Sequence, residues 1–399
     1  MKGKTKIILI ALFLSTLIIF VSWGKQNAEW KGKVGTENGI KVIKNPREPL
    51  YGEITFELEE DLSIGNEEED NYMFYDVVNI AVDSEENIFV LDGGNCRIQK
   101  FDRDGNYIQT IGRRGQGPGE FENPSEILFD SENNIYVAED RKIHFFNSEG
   151  KLKKSITLDF SISSCGITRE GNILAQIFSF TPEEKTDDVV LINMSGKKLK
   201  AIASFPSPMV ILKKGPGVMG GISNPYSPRL HFCPLNEGLG TYGYSAEYKL
   251  FVITSSGEIS YIIEKEESPE SITQKEKNKI IDAYMERQKR RGAGPKLSRD
   301  EIEKAYNFPK YKPFFMELLK DDKNHIYVSK FSPFWQDEES IRFDIFAKEG
   351  YYLWIVKIPF FPDRIKSGHI YRVEGDPGSG YLKVKSYKIK NWDQIKGEI

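Results

Sequence analysis

The sequence predicts an all-β fold: a six-bladed β-propeller closed by an N-terminal strand, with a small helical insertion between blades 4 and 5. Three observations carry this reading. First, Ile64, Gly65, Phe74, Ile80, Asp83, Ser84, Glu85, Asn87, Ile88 and Val90 fall, 47 positions later and without a gap, on Ile111, Gly112, Phe121, Ile127, Asp130, Ser131, Glu132, Asn134, Ile135 and Val137, so ten of 27 positions repeat. A period of roughly 40–50 residues with about four short strands per unit is the mark of propeller blades. Second, short apolar runs separated by Asp/Asn/Gly turns continue through most of the chain, as hairpins require. Third, residues 54–63 resemble the end of a blade although no blade precedes them. A strand from one terminus that completes the blade made by the other would remove the unpaired edges of an open ring.

The chain begins with Lys2, Lys4 and Lys6, then an apolar run over residues 7–21, then Ser22 and Gly24 as small residues before a cleavage point. Residues 1–24 therefore read as a signal peptide, and the protein as exported, periplasmic or extracellular. An uncleaved N-terminal segment is the one route to membrane attachment. Residues 25–52, polar with Asn45-Pro46 and Glu48-Pro49, read as a linker, and residues 53–392 as the propeller. Blade 1 spans residues 74–112, with turns at 84–87 and 102–106. Blades 2 and 3 follow over 123–158 and 160–205, blade 4 over 229–264 and blade 5 over 314–358. Blade 6, residues 361–389, has three strands of its own and awaits the N-terminal one. Residues 271–307 break the pattern. Ile280, Ile281, Tyr284 and Met285 lie on one helical face, and Ser271/Gln274 and Ser298/Glu301 have capping-box spacing, so two helices are expected around 292–295.

With 39% apolar and 12% aromatic residues the chain can fill a large core. A net charge of −4 gives no general attraction to nucleic acid. Cys96, Cys165 and Cys233 are few, odd in number and without a CxxC pair, and read as small buried apolar residues.

The core Leu91-Asp92-Gly93-Gly94-Asn95-Cys96-Arg97-Ile98-Gln99-Lys100-Phe101 and the bridge Gly112…Gly115…Gly117-Pro118-Gly119-Glu120-Phe121 resemble NHL repeats. The whole chain is similar to bacterial exported six-bladed propellers that carry them. The resemblance implies the fold and an exported location but no single activity, because such propellers bind proteins, RNA or small molecules and some are enzymes.

In an up-and-down blade the first–second and third–fourth turns share one rim. The second–third loops and blade-to-blade bridges share the other. The long segments 112–124, 177–188, 206–228, 268–313, 331–340 and 375–380 all fall on the second rim. Long loops on a rigid scaffold usually carry function, so this long-loop rim is the expected binding surface. Residues 271–313 hold 12 Lys/Arg against 6 Asp/Glu. Arg113, Arg114, Arg141, Arg229 and Arg364 are placed on the same rim, and with Trp335 they form the expected ligand-binding set. Phe331, Phe334, Trp335, Tyr226 and Phe360 either stack on a ligand or pack against the helices, and packing is the preferred reading.

Catalytic signatures are sparse. His144, His231, His325 and His369 are too few and too scattered for a His-rich zinc site. Asp102-x-Asp104-Gly105 reads as a turn rather than a calcium loop, and no GxSxG elbow is present. Gly115-Gln116-Gly117-Pro118-Gly119 reads as an inter-blade turn rather than an anion nest. The leading reading is a non-enzymatic exported protein that recognises a peptide, protein partner or glycan, without a cofactor and without nucleic acid. The alternative is a lactonase- or lyase-type propeller with a carboxylate-held divalent ion, such as Ca²⁺, in the channel.

Overall fold

The inner strands pack around a common axis, each touching the next. The inner strand of blade 6 returns to that of blade 1. The computed structural model describes residues 29–181, 184–214, 217–290, 296–333, 340–376, 378 and 380–395. It is a six-bladed β-propeller. From the axis outward, blade 1 is Val77–Val82, Ile88–Asp92, Arg97–Phe101 and Tyr107–Ile111, and blade 2 is Pro124–Phe129, Ile135–Glu139, Lys142–Phe146 and Leu152–Thr157. Blade 3 is Ser161–Ile167, Ile173–Phe180, Lys185–Ile192 and Lys198–Pro206. Blades 4 and 5 begin on Leu230–Pro234 and Phe315–Lys320.

Closure follows the expected route. Leu58–Ile64 lies antiparallel to Leu382–Ile389, with Ser63 opposite Lys385, and completes blade 6. Residues 54 and 55 do not share that position: Glu53–Thr55 is a separate strand that adds parallel to the outer strand of blade 5, Tyr352–Ile358.

The expected linker is a correction. Within residues 25–52, Lys33–Glu37 and Ile40–Asn45 form a hairpin, and the second strand pairs parallel with Ile259–Lys265 at the outside of blade 4. Asn45 explains why the hairpin docks. Its Nδ2 donates to Gly350 O (2.9 Å) and Glu264 O (3.2 Å), and its Oδ1 accepts from Tyr352 N (2.8 Å) and Trp30 Nε1 (3.0 Å). One side chain thus joins the hairpin to two blades, with Val42 and Ile43 fully buried beside it.

Blade 1 and blade 2 close their first–second turns in the same way. Asp83 Oδ1 accepts Glu85 N and Asn87 N, and Asp130 Oδ1 accepts Glu132 N and Asn134 N, each at 2.9 Å. Asp321 repeats this in blade 5 with Lys323 N and His325 N. A carboxylate that takes two amides of its own turn fixes that turn without lengthening it.

The insertion is a helical pair, α1 (Gln274–Arg290) and α2 (Arg299–Tyr306). The box at Ser298 and Glu301 forms as expected. At α1 the box is Thr273 with Glu276 rather than Ser271 with Gln274. Ile280, Ile281, Ile302 and Tyr306 bury a face against Ile222, Tyr226, Phe308 and Phe331. Ile222 belongs to a further hairpin, Met209–Lys214 with Gly217–Ser223, inside the connection between blades 3 and 4. The three cysteines are buried free thiols.

Candidate functional site

The long connections raise a wall over one sector of the ring. Between blades 3, 4 and 5 they enclose a cleft of about 640 Å³. Its floor comes from the strands: Gln176 and Phe178 from blade 3, Arg229 and His231 at the start of blade 4, and Phe315 and Glu317 from blade 5. Its walls are loop residues, including Ser207, Ser227 and Phe331. Phe331 also packs on Tyr226 (ring centroids 5.3 Å apart) and on the cluster that seats the helices, so the insertion braces the wall. That agrees with the packing reading of these two aromatics. Phe360 packs on Tyr387 and Arg372 instead. Phe334 and Trp335 lie outside the described residues.

Hydrogen bonds hold the floor in place. Arg229 donates its backbone N–H to Ser245 Oγ (2.9 Å) and its Nη2 to Ser223 Oγ (2.7 Å), and Gln176 Nε2 donates to Leu230 O (3.3 Å). Burial, reinforced by the Arg229 cation, pushes the His231 imidazole down to about 4, so it is neutral at pH 7. Burial pushes the carboxyls of Asp187 and Glu317 upward. Serine hydroxyls, an amide, one guanidinium, a neutral imidazole and the carboxyls of Asp187 and Glu317 beside phenyl rings make a surface for polar groups with an apolar backing.

The five expected ligand residues that are described do not converge. Among them Arg229 alone lines this cleft. Arg113 turns to Glu120 (2.7 Å) with its side chain 81% exposed, Arg114 donates to Gly94 O (2.6 Å), and Arg141 sits 3.8 Å from Asp140. Arg364 is a correction. It is not on the long-loop rim but points into the central channel, where its Nε donates to Ile80 O (3.2 Å). It lines a second cavity, of about 820 Å³, that opens among the short first–second turns. Trp335 lies outside the described residues.

The glycine-rich bridge offers no empty nest. Glu120 Oε2 accepts Gly117 N (2.8 Å), and a Cβ on Gly115 would come within 2.0 Å of that same oxygen. Asp102 accepts Asp104 N and Asn106 N as a turn. Asp92 pairs with Arg97 at 3.3 Å. One constellation escaped the sequence: Ser155 Oγ lies 2.9 Å from His144 Nδ1, whose Nε2 is 3.8 Å from Glu139. Its signal was the cross-strand register of blade 2, in which His144 faces Ser155. It sits outside both cavities, with the imidazole buried against Phe121. Among the described residues no group of three or more His, Cys, Asp or Glu is placed to hold a metal ion, and no helix is long and apolar enough to cross a membrane.

Residues 67–352 match the family described as "Domain of unknown function (DUF4934)", and the chain belongs to that family. No curated protein matches it in sequence. Among solved structures it is similar to a protein named as exported from Bacteroides fragilis NCTC 9343, with 12% identity and a TM-score of 0.52 over 88% of this chain and 99% of that one. A member of the DUF4221 family from Bacteroides vulgatus aligns at 14% identity and a TM-score of 0.46, over 84% of this chain and 98% of that one. Virginiamycin B lyase from Staphylococcus aureus aligns at 11% identity and a TM-score of 0.39, over 84% and 99% respectively. At such identities the likeness concerns the fold.

Proposed function

We propose that this chain is an exported binding protein of the bacterial cell envelope that recognises a peptide, protein partner or glycan in the cleft on its long-loop rim. One observation carries the reading. The cleft of about 640 Å³ is walled by the longest connections in the chain and braced by the helical insertion, while the connections on the opposite rim are tight turns. Folding alone gives no reason to lengthen connections on one side. Phe178 and Phe331 offer faces for a sugar ring or an apolar side chain, and Arg229, Gln176 and the serines offer bonds to hydroxyls or a peptide backbone. The charged N-terminus with its apolar run, the NHL-like repeat and a structural neighbour named as exported support the location.

An array of defined oligosaccharides and peptides, probed with the folded chain, tests the proposal. Arg229→Ala is expected to weaken retention of the best binder roughly tenfold, the equivalent of about 1.4 kcal/mol. Ser227→Trp fills the cleft and is expected to abolish retention. Absence of any binder, or binding indifferent to both substitutions, removes the reading.

A further inference from the structure

The cavity at the short-turn mouth has an unusual charge arrangement inside it. Arg364 and Lys366 alternate along the innermost strand of blade 6, so both side chains face the channel while Ile365 between them is buried on the other side. Lys320 enters from blade 5. None of the three has a carboxylate within ion-pair distance among the described residues. Lys366 Nζ donates to Val82 O (2.8 Å) and Asp83 O (2.5 Å), and Lys320 Nζ donates to Asn236 Oδ1 (2.7 Å). Among the described residues Arg364 donates through its Nε alone, to Ile80 O, which leaves both terminal nitrogens of its planar fork for another acceptor.

The carboxylates around the mouth are engaged elsewhere. Asp83, Asp130 and Asp321 take the amides of their own turns. Asp322 accepts Ser367 N, Asp363 accepts Val373 N, and Glu237 pairs with Arg169. Glu126, the carboxyl that faces Arg364 across the channel, accepts Cys165 N and Ser164 Oγ. Among the described residues, three cations that donate to neutral acceptors thus stand below a mouth whose acids hydrogen-bond elsewhere. Bringing like charges together away from bulk water is unfavourable unless something compensates them. Burial, with Arg364 and Lys366 adding repulsion, lowers the Lys320 ammonium to about 8.

We propose that this channel vestibule is a second ligand site, which holds the carboxylate or phosphate group of a small molecule between Arg364, Lys366 and Lys320. The guanidinium fork matches either oxyanion through paired N–H bonds, and the two ammonium groups supply point charges. A cavity of about 820 Å³ accommodates a small molecule. Phe129, Tyr136 and Phe232 on its wall offer apolar cover for the rest of that molecule.

The test is thermal melting of the full chain with inorganic phosphate, with citrate, and with sodium chloride at matched ionic strength. Titration calorimetry with the same two anions gives the affinity. The expected result is a saturable rise in melting temperature, beyond the chloride control, with at least one anion. A response to phosphate alone assigns a phosphoryl ligand, and a response to citrate alone assigns a carboxylate. Arg364→Gln and Lys320→Met are expected to weaken that anion at least tenfold while both variants still melt cooperatively, because each removes a cation that has no carboxylate within ion-pair distance among the described residues. No rise beyond chloride with either anion overturns the proposal. So does a rise of unchanged affinity in both variants.

Discussion

Replacing Glu126 by Gln should make the protein's stability less dependent on pH, in a defined direction. Glu126 stands on the inner strand of blade 2 and reaches across to blade 3, where Oε2 accepts Cys165 N (3.0 Å) and Oε1 accepts Ser164 Oγ (3.3 Å). Burial is the largest influence on it and raises its pKa from 4.5 to about 7; the two bonds and Arg364 oppose this without cancelling it. Between pH 4.5 and about 7 the folded chain keeps a proton that the unfolded chain has released. The native state is therefore favoured at the acid end, loses that advantage as pH rises through this window, and gains no further penalty above it. The difference between 7 and 4.5 corresponds to roughly 3 kcal/mol as an upper bound, and water in the channel reduces it. Glutamine keeps an oxygen for Cys165 N and carries no charge at any pH. Urea unfolding at pH 4.5, 5.5, 6.5 and 7.5 measures the effect. The variant should gain on the wild type by about 1–3 kcal/mol across the series. His231 titrates in both proteins and cancels in the difference. Two pH profiles that run parallel would refute the burial argument for this carboxyl.

Other substitutions probe the frame. Asp344 is fully buried and accepts Tyr248 OH (2.5 Å) and Tyr352 OH (2.6 Å) with Lys265 Nζ at 3.3 Å, so Asp344→Ala should cost about 3–5 kcal/mol in denaturant unfolding, and a loss under 1 kcal/mol would contradict this. Asn45→Ala strips four bonds from the N-terminal hairpin and should cost about 2–4 kcal/mol, with residues 33–45 becoming the first proteolysed; unchanged protease resistance would deny the hairpin its docking role. Ile64→Ala at the closing strand should cost about 2–4 kcal/mol, read from the shift in urea midpoint, because Ile64 is only 1% exposed and packs with Phe74 and Val384.

The ring was legible because its grammar is local. The turn Asp, the alternating inner strand and the glycine bridge repeat 47 positions apart in blades 1 and 2, the turn Asp returns in blade 5, and the remaining blades show as short apolar runs between tight turns. The N-terminal hairpin was missed for a physical reason and overlooked for an avoidable one. Every residue of Lys33–Glu37 is exposed, so the strand carries no apolar alternation. Yet Asn38-Gly39 is a hairpin signal of its own, and both residues adopt positive φ, 49° and 82°. Its parallel addition to blade 4 joins residues more than 200 positions apart, which no local pattern encodes. The same holds for Glu53–Thr55 beside blade 5.

The site was less legible because charge alone does not say where a side chain points. Arg113 and Arg114 looked functional as cations on the long-loop rim, but Glu120 seven residues on from Arg113 and Gly94 of the same blade already take them. Arg364 looked like a residue of the long-loop rim, within the first strand of blade 6 at residues 363–365. The decisive pattern was Arg364-Ile365-Lys366: alternation along the innermost strand sets the two cations on one face, opposite the buried Ile365. That alternation alone pairs Arg364 with Lys366 and sets Glu126 opposite the buried Ile127. It would not have found Arg229's cleft, whose walls come from connections that meet only once the ring has closed.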